Sequence, residues 1–449
     1  MRSLLVALLV FGSLPMIMIK PHVGVLVWSW IGYMNPHRLT WGFTHDFPFA
    51  MVVGAVTIAA WLFSREPKTL PWHPLVPLLA IFAAWVSFTT LFAAYPDQAQ
   101  WKWDRTIKIL LLNGFVTLGL ITTRQRLDAL IWVIVLSLGF FALKGAAFTL
   151  LTSGNYRLFG PPASFIADNA AFGLALLMVI PLVRYLQLTA TRRWVRLGLL
   201  LSIPCFLVAV LATYSRGAMV GLAVTMVALA LKSRHRVRLA LIAGLALAGA
   251  VHFMPAHWHV RVASVASYDE DASAQGRFQS WRYGLAVARD SPVVGGGFEI
   301  FRGNKADTAA GYRSAHSIYF ETLAEHGYVG LAIFLALGIG TYMTAGSIMR
   351  RARDRPDLAW AADLAAMIQV SIAAYAVAGL FLDLATFDLY YHLVAIAVVA
   401  SSLVQQRLAA GPSVGSAVPS PAYVLPSDEP ALQGCRADRS YVARRSDWA

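Results

Sequence analysis

Apolar residues run in blocks along nearly the whole chain, and most blocks approach the roughly 20 residues a helix needs to cross a bilayer. No strand-like alternation competes with them. The blocks predict helices over 49–64, 73–94, 106–123, 127–151, 167–188, 196–213, 217–231, 237–254, 317–349, 358–382 and 386–405. Residues 3–34 hold two shorter apolar pieces broken at Lys20-Pro21, a pattern open to one kinked span, a re-entrant pair or two short helices. One long polar segment, 255–315, interrupts the series, and within it Phe278, Trp281 and Leu285 recur at helical spacing among Arg277, Arg282 and Arg289. That pattern predicts a helix lying on the membrane surface, ended by Pro292 and Gly295-Gly296-Gly297.

The polar positions between blocks set the orientation. Arg65 and Lys68, Arg124 and Arg126, Arg192, Arg193 and Arg196, Lys232 to Arg238, and Arg350 to Arg355 fall in alternate loops, which marks those loops as cytoplasmic. With the amino terminus also inside, 3–34 must cross once in net terms, giving about twelve transmembrane helices and two cytoplasmic termini. The fold class expected is an all-α polytopic membrane protein with one large external loop carrying short helices. It divides into amino-terminal membrane helices (1–254), the external loop (255–315), carboxy-terminal membrane helices (316–406) and a tail (407–449) whose Pro, Ser and Ala content predicts disorder.

Composition agrees: 58% of the 449 residues are hydrophobic and 13% charged, which no ordinary soluble domain tolerates. The formal charge of +14 sits largely in the short basic loops, so it reports topology and not nucleic-acid binding. Cys205 and Cys435 make neither a disulfide framework nor a metal motif. There is no GxxxxGK[ST] loop, no HExxH and no clustered Cys/His set, so neither a metal nor a nucleotide is expected.

Cations on the external side are informative because the positive-inside bias works against them. They are His37, Arg38, Lys102, Arg105, Lys108, Arg157 and Arg216. Guanidinium groups gathered at headgroup depth suit phosphate or pyrophosphate, which they bind bidentately without losing a proton. Arg105 and Lys108 also fit simple snorkelling, whereas Arg216 occupies a very short turn where Asn, Asp or Gly is usual. His316 precedes a long apolar run: with Ser314 as cap it falls in the first helical turn, where the helix dipole keeps its ring neutral and able to take a proton. The face below it continues through Phe320, Leu323, Gly327 and Gly330, whose glycines would admit a closely packed neighbour. His326 reads as a packing or hydrogen-bonding residue. Asp383 and Asp388, in "FLDLATFDLYYH", fit either pairing with the basic rim or binding an acceptor sugar; Asp168-Asn169 fits a cap or a sugar contact.

With these residues in place, the sequence resembles the O-antigen ligase and polymerase superfamily of bacterial inner-membrane glycosyltransferases. The specific sign is His316-Ser317, nine residues, then Gly327-Tyr328-Val329-Gly330, supported by "SRG" at 215–217, "RLFGPPASFIADN" at 157–169 and "GRFQSWRYGLAVARDSPVVGGGF". "NPHRLTWGF" also looks like the branch of O-glycosylation ligases linked to exosortase systems. The resemblance implies inverting transfer of a glycan from undecaprenyl pyrophosphate to a sugar hydroxyl of lipid A–core, on the periplasmic face, in lipopolysaccharide biosynthesis. His316 would orient or deprotonate the acceptor hydroxyl. Arg216, with Arg157, Arg105 or Lys102, would hold the pyrophosphate. Arg277, Arg282, Arg289 and Asp388 are candidates on the acceptor side. A polymerase or a protein O-glycosylation ligase would use the same donor site. A polyprenyl-linked glycan flippase is the alternative from another class, though the chain lacks the repeat symmetry and midplane charges of many transporters.

Overall fold

The computed structural model describes residues 2–232, 244, 248–249, 251–256, 258–259, 272–303 and 314–410. The expected span at 237–254 lies largely outside those residues, as do 260–271 and 304–313 of the long external segment and the tail beyond 410. Residues up to Arg407 form one compact unit.

Every regular element among the described residues is a helix. We label the main ones α1 (Arg2–Ile19), α2 (His22–Met34), α3 (Phe49–Phe63), α4 (Leu75–Thr90), α5 (Pro96–Ile109), α6 (Arg124–Leu151), α7 (Asn169–Thr189), α8 (Arg193–Ala212), α9 (Arg216–Lys232), α10 (Ala272–Asp290), α11 (Ile318–Ala352), α12 (Ala359–Ala378) and α13 (Asp388–Ala409). Seven described helical stretches are long and apolar enough to cross a membrane: α1, α6, α7, α8, α11, α13 and the run Pro356–Phe381 that contains α12. Helices α3 and α4 are shorter and apolar. The chain is therefore a multi-pass membrane protein. Helices α7, α12 and α13 form its centre, with Leu174 to Val179 and Leu393 to Val399 almost fully buried.

The start of the chain corrects the sequence reading. Ser3 Oγ donates to the Trp41 carbonyl at 2.7 Å, while His22 lies within reach of the Arg126 and Glu66 charges among the basic loops. A continuous α1–α2 rod would put Ser3 about 45 Å from Met34, too far for the short segment to Trp41 to return. The chain therefore reverses at Lys20-Pro21, and the amino-terminal end of α1 lies on the face of residues 35–48, opposite the basic loops. Phe11 packing on Phe47 and Phe49, each at 5.6 Å, locks the fold-back. Helix α13 ends on the basic face, where Arg407 Nε meets Asp357 at 3.2 Å. The two ends of the described chain thus lie on opposite faces, against the expectation that both are cytoplasmic.

A second difference lies at α5. Residues expected in an external loop are helical from Pro96, with proline in the first turn and Asp97 at the positive end of the dipole. The helix runs on through a π-helical stretch, Leu110–Val116, where Asn113 Oδ1 accepts from Trp28 Nε1 at 2.7 Å. Hydropathy marks only the apolar second half because the first half carries Lys102, Asp104 and Arg105.

Candidate functional site

On the face opposite the basic loops, a cavity of about 520 Å³ is lined by His316, Arg216, Arg157, Arg105, Lys102, Arg277, Asp168 and Asp383 among others. These come from six stretches of chain separated in sequence, and several are held by local chemistry. Arg157 belongs to the 152–168 loop, pinned by Leu158 N donating to Ala212 O at 2.8 Å and Gly160 N to Ala167 O at 3.1 Å. Asp168 caps α7, accepting from Ala170 N at 2.8 Å, and Asn169 Nδ2 donates to Thr213 O at 2.7 Å, so both residues of that pair have structural partners. Arg216 opens α9, whose Ala218 N donates to Ser215 Oγ at 3.2 Å. The guanidinium of Arg105 lies against the Phe165 ring.

His316 does not sit where a Ser314 cap would place it. Helix α11 starts at Ile318 with Ser317 in the cap position, so His316 precedes the helix, in the left-handed region at φ 51°. The Asp383 carboxyl, from the turn between α12 and α13, faces the backbone N–H groups of His316 and Ser317, which favour its charged form, while its Oδ1 is buried without a hydrogen-bond partner. Those are orphan donors at a helix start, which the Ser317 hydroxyl, itself buried without a partner, does not serve. Three further non-glycine residues at or beside the cavity wall share positive φ: Ala163 at 53°, Tyr214 at 57° and Glu299 at 61°. Strain of this kind costs about 1–3 kcal/mol per residue and concentrates where geometry must be fixed.

Burial pushes the His316 pKa below its ordinary 6.5, the Arg277 charge adds to that, and Asp168 opposes it. The ring is therefore neutral at pH 7, though burial and Arg277 keep it so, not a position inside the helix. The Asp383 carboxyl lies well above the usual carboxylate range, chiefly through burial and the nearby Glu321 charge.

The glycines downstream also work differently from the sequence reading. At Gly327 the backbone leaves helical geometry, φ 70° and ψ −174°, and α11 is kinked. The break frees the carbonyls of Ala324 and Glu325, which accept from Gly296 N at 2.8 Å and Gly297 N at 3.0 Å, while Tyr328 N donates to Pro292 O at 2.9 Å. The Pro292–Gly297 turn thus docks into the interrupted helix, and a Cβ at Gly327 would lie 2.2 Å from Val293 O. Gly330 does face another helix, with Trp85 of α4 against it.

Not every candidate joins the cavity. Lys102 lines it, but its ammonium is already bound: Nζ lies 2.8 Å from Glu321 Oε1 and 2.7 and 3.0 Å from the two oxygens of Glu325. It is not free to hold pyrophosphate as expected. Arg282 and Arg289 are exposed on α10 and do not line the cavity. That helix packs on α11, with Trp281 stacked on Phe320 at 5.0 Å, and does not simply lie on a membrane surface. Asp388 is buried at the start of α13 behind the lining. Arg38 pairs with Asp46 at 2.6 Å away from the cavity, and Lys108 with Asp104. His326 is a packing histidine, its Nδ1 2.7 Å from Thr89 Oγ1 and its ring edge-on to Phe298. The sequence reading passed over Glu299, Glu321 and Glu325. Two glutamates four residues apart inside an apolar helix were the available signal. Among the described residues no three His, Cys, Asp or Glu side chains group so as to hold a metal ion.

Comparison with known families finds two matches along the chain. Residues 1–191 match a family of unknown function (DUF5935). Residues 199–335 match the O-antigen ligase family. The chain is thus similar to O-antigen ligases over this segment. No curated protein matches it. The segment similar to O-antigen ligases contributes Tyr214, Arg216, Arg277, His316, Glu321 and Glu325 to the cavity, and the segment similar to the family of unknown function contributes Lys102, Arg105, Arg157 and Asp168. Asp383 comes from beyond both matches.

Proposed function

We propose that this protein is an inverting glycosyltransferase that moves a glycan from undecaprenyl pyrophosphate to a sugar hydroxyl of lipid A–core, at the periplasmic face of the bacterial inner membrane. The observation that carries this reading is the convergence of Arg105, Arg157 and Arg216 with His316 on one cavity at the face away from the basic loops. Departure of a pyrophosphate leaves negative charge that fixed guanidinium groups stabilise without reorganising. Their protons are not labile, so the charge holds across physiological pH. His316, neutral by burial, accepts or orients the proton of the attacking hydroxyl while the anomeric C–O bond to the pyrophosphate breaks. Attack from the side opposite the leaving group inverts the anomeric centre. The arginines supply the countercharge in this scheme, so the reaction is expected to need neither metal nor nucleotide.

The test uses full-length protein in lipid, an undecaprenyl-pyrophosphate glycan, lipid A–core and a chelator, without nucleotide. Glycan on lipid A–core with wild type, and none with His316→Ala or Arg216→Ala, is the expected result. Lengthening of the glycan on its carrier would replace ligase by polymerase. No transfer to any acceptor, with substituted cysteines at 216 and 316 reacting from both sides of the membrane, would replace transfer by transport.

A further inference from the structure

We infer that Lys102 is a positioning residue that, through Glu321, fixes the 383–386 turn and with it the backbone that presents His316. Its ammonium has three donors, and all three meet carboxylate oxygens, one of Glu321 and two of Glu325. The side chains of Lys102, Glu321 and Glu325 are 12%, 7% and 3% exposed, so this is a dry ion cluster and not a surface pair. With every donor of the ammonium already engaged, Lys102 has none left for a phosphate, which argues against it as a donor ligand and for a part in the scaffold.

The links to His316 are short. Glu321 Oε2 accepts from Ala385 N at 3.0 Å, and Glu321 N donates to Ser317 O at 2.8 Å, placing it one turn into α11. Two residues before Ala385 is Asp383, whose carboxyl faces the N–H groups of His316 and Ser317 and lines the same cavity as His316. The same cluster holds another wall: Glu325 Oε1 accepts from the N–H of Glu299, a second residue at positive φ. One buried charge therefore ties α5, α11, the 383–386 turn and Glu299 together. His316 at φ 51° keeps a conformation that no regular element imposes, and such a conformation persists only where its surroundings over-determine it.

This role deepens the proposed transfer reaction and rests on it for the kinetic readout alone. Lys102 and Ala385 N now use different oxygens of Glu321, so Glu321→Gln keeps the volume but sets an NH2 donor against one of them. Lys102→Met removes the ammonium. With no substrate present, the modification rate of His316 by diethyl pyrocarbonate, followed by mass spectrometry, is expected to rise several-fold in each variant, with the double variant no faster than the faster single. An Arg126→Ala control on the far face should match wild type. In the transfer assay kcat falls about ten- to a hundredfold, the cost of a small misplacement, with donor KM unchanged. Unaltered His316 reactivity in Glu321→Gln, or a raised donor KM with kcat intact in Lys102→Met, overturns the inference. If wild type transfers nothing, the proposed function fails while His316 reactivity still decides the positioning role; if Lys102→Met does not fold, Glu321→Gln decides it.

Discussion

On the face of the basic loops, Arg126 reaches Glu66 at 2.6 Å, Arg355 and Arg407 share Asp357, and Arg124 lies over the Trp360 ring. On the opposite face Arg105, Arg157, Arg216 and Arg277 come from four separate elements and line a single concave wall. The first group follows the topology bias and meets local carboxylates and an aromatic ring near the surface, where pairs are worth about 0–1 kcal/mol. The second opposes that bias and gathers four guanidinium groups around one cavity, with the acidic side chains of Asp168, Glu299 and Asp383 on the same wall. Arginine content alone says little about function. Convergence against the topology rule says much more.

The largest expected effect separates the two groups directly. Arg216→Ala should cut glycan transfer about 100- to 1,000-fold, the scale of losing one preorganised charge-stabilising group, and His316→Ala by about 100- to 10,000-fold. Arg126→Ala should leave the rate near wild type and lower stability by no more than about 1 kcal/mol. Equal losses at positions 126 and 216 would erase the distinction. A substitution from Arg157 to Lys sharpens it: the charge stays and the bidentate geometry goes, so a rise in donor KM marks a phosphate ligand and an unchanged KM marks a loop-stabilising residue.

Gly327→Ala tests the scaffold behind the cationic wall. The backbone there sits at φ 70°, and the added Cβ would meet Val293 O at 2.2 Å and Pro292 O at 2.7 Å. The φ penalty alone is about 1–3 kcal/mol, and the carbonyls belong to a docked turn with little room to retreat. Thermal unfolding should show the loss. A variant as stable as wild type would mean that α11 straightens without cost, and the kink would then explain nothing about the spacing of the glycines after His316.

Much of this architecture was legible in the sequence, for identifiable reasons. A helix crossing apolar surroundings needs a long apolar block, so 127–151 and 386–405 fall within a few residues of α6 and α13. Arg157, Arg216 and His316 stood out because charge and imidazole are costly at membrane edges. The reversal at Lys20-Pro21 was not legible, since a kink and a hairpin share the same apolar pattern and only contacts such as Ser3 with Trp41 separate them. The partners of Lys102 were hidden too. Glu321 and Glu325 lie more than 200 positions away, and one chain does not show which carboxylates fold onto which ammonium. The break at Gly327 was invisible for a related reason: glycine is compatible both with a tight helix contact and with a non-helical backbone, and tertiary docking chooses.

The smallest effect concerns pH, and it asks whether Arg277 belongs with the cavity arginines in function as well as in place. Burial and the Arg277 charge both hold the His316 pKa below 6.5. A base must be unprotonated to act, so transfer should be independent of His316 ionisation above that value and fall as pH drops through the lowered pKa. The sign for stability agrees: a group whose pKa is depressed by folding contributes stability above its unfolded pKa and loses it toward acid. In Arg277→Gln one of the two depressing influences is gone, while the Asp168 charge that opposes them remains. The acid limb of kcat/KM should then move upward, toward 6.5, with the neutral-pH rate little changed. A limb that stays in place while donor KM rises would assign Arg277 to the pyrophosphate instead. The charge contrast between the two faces would stand, but the wall would act on the donor alone and not on the base.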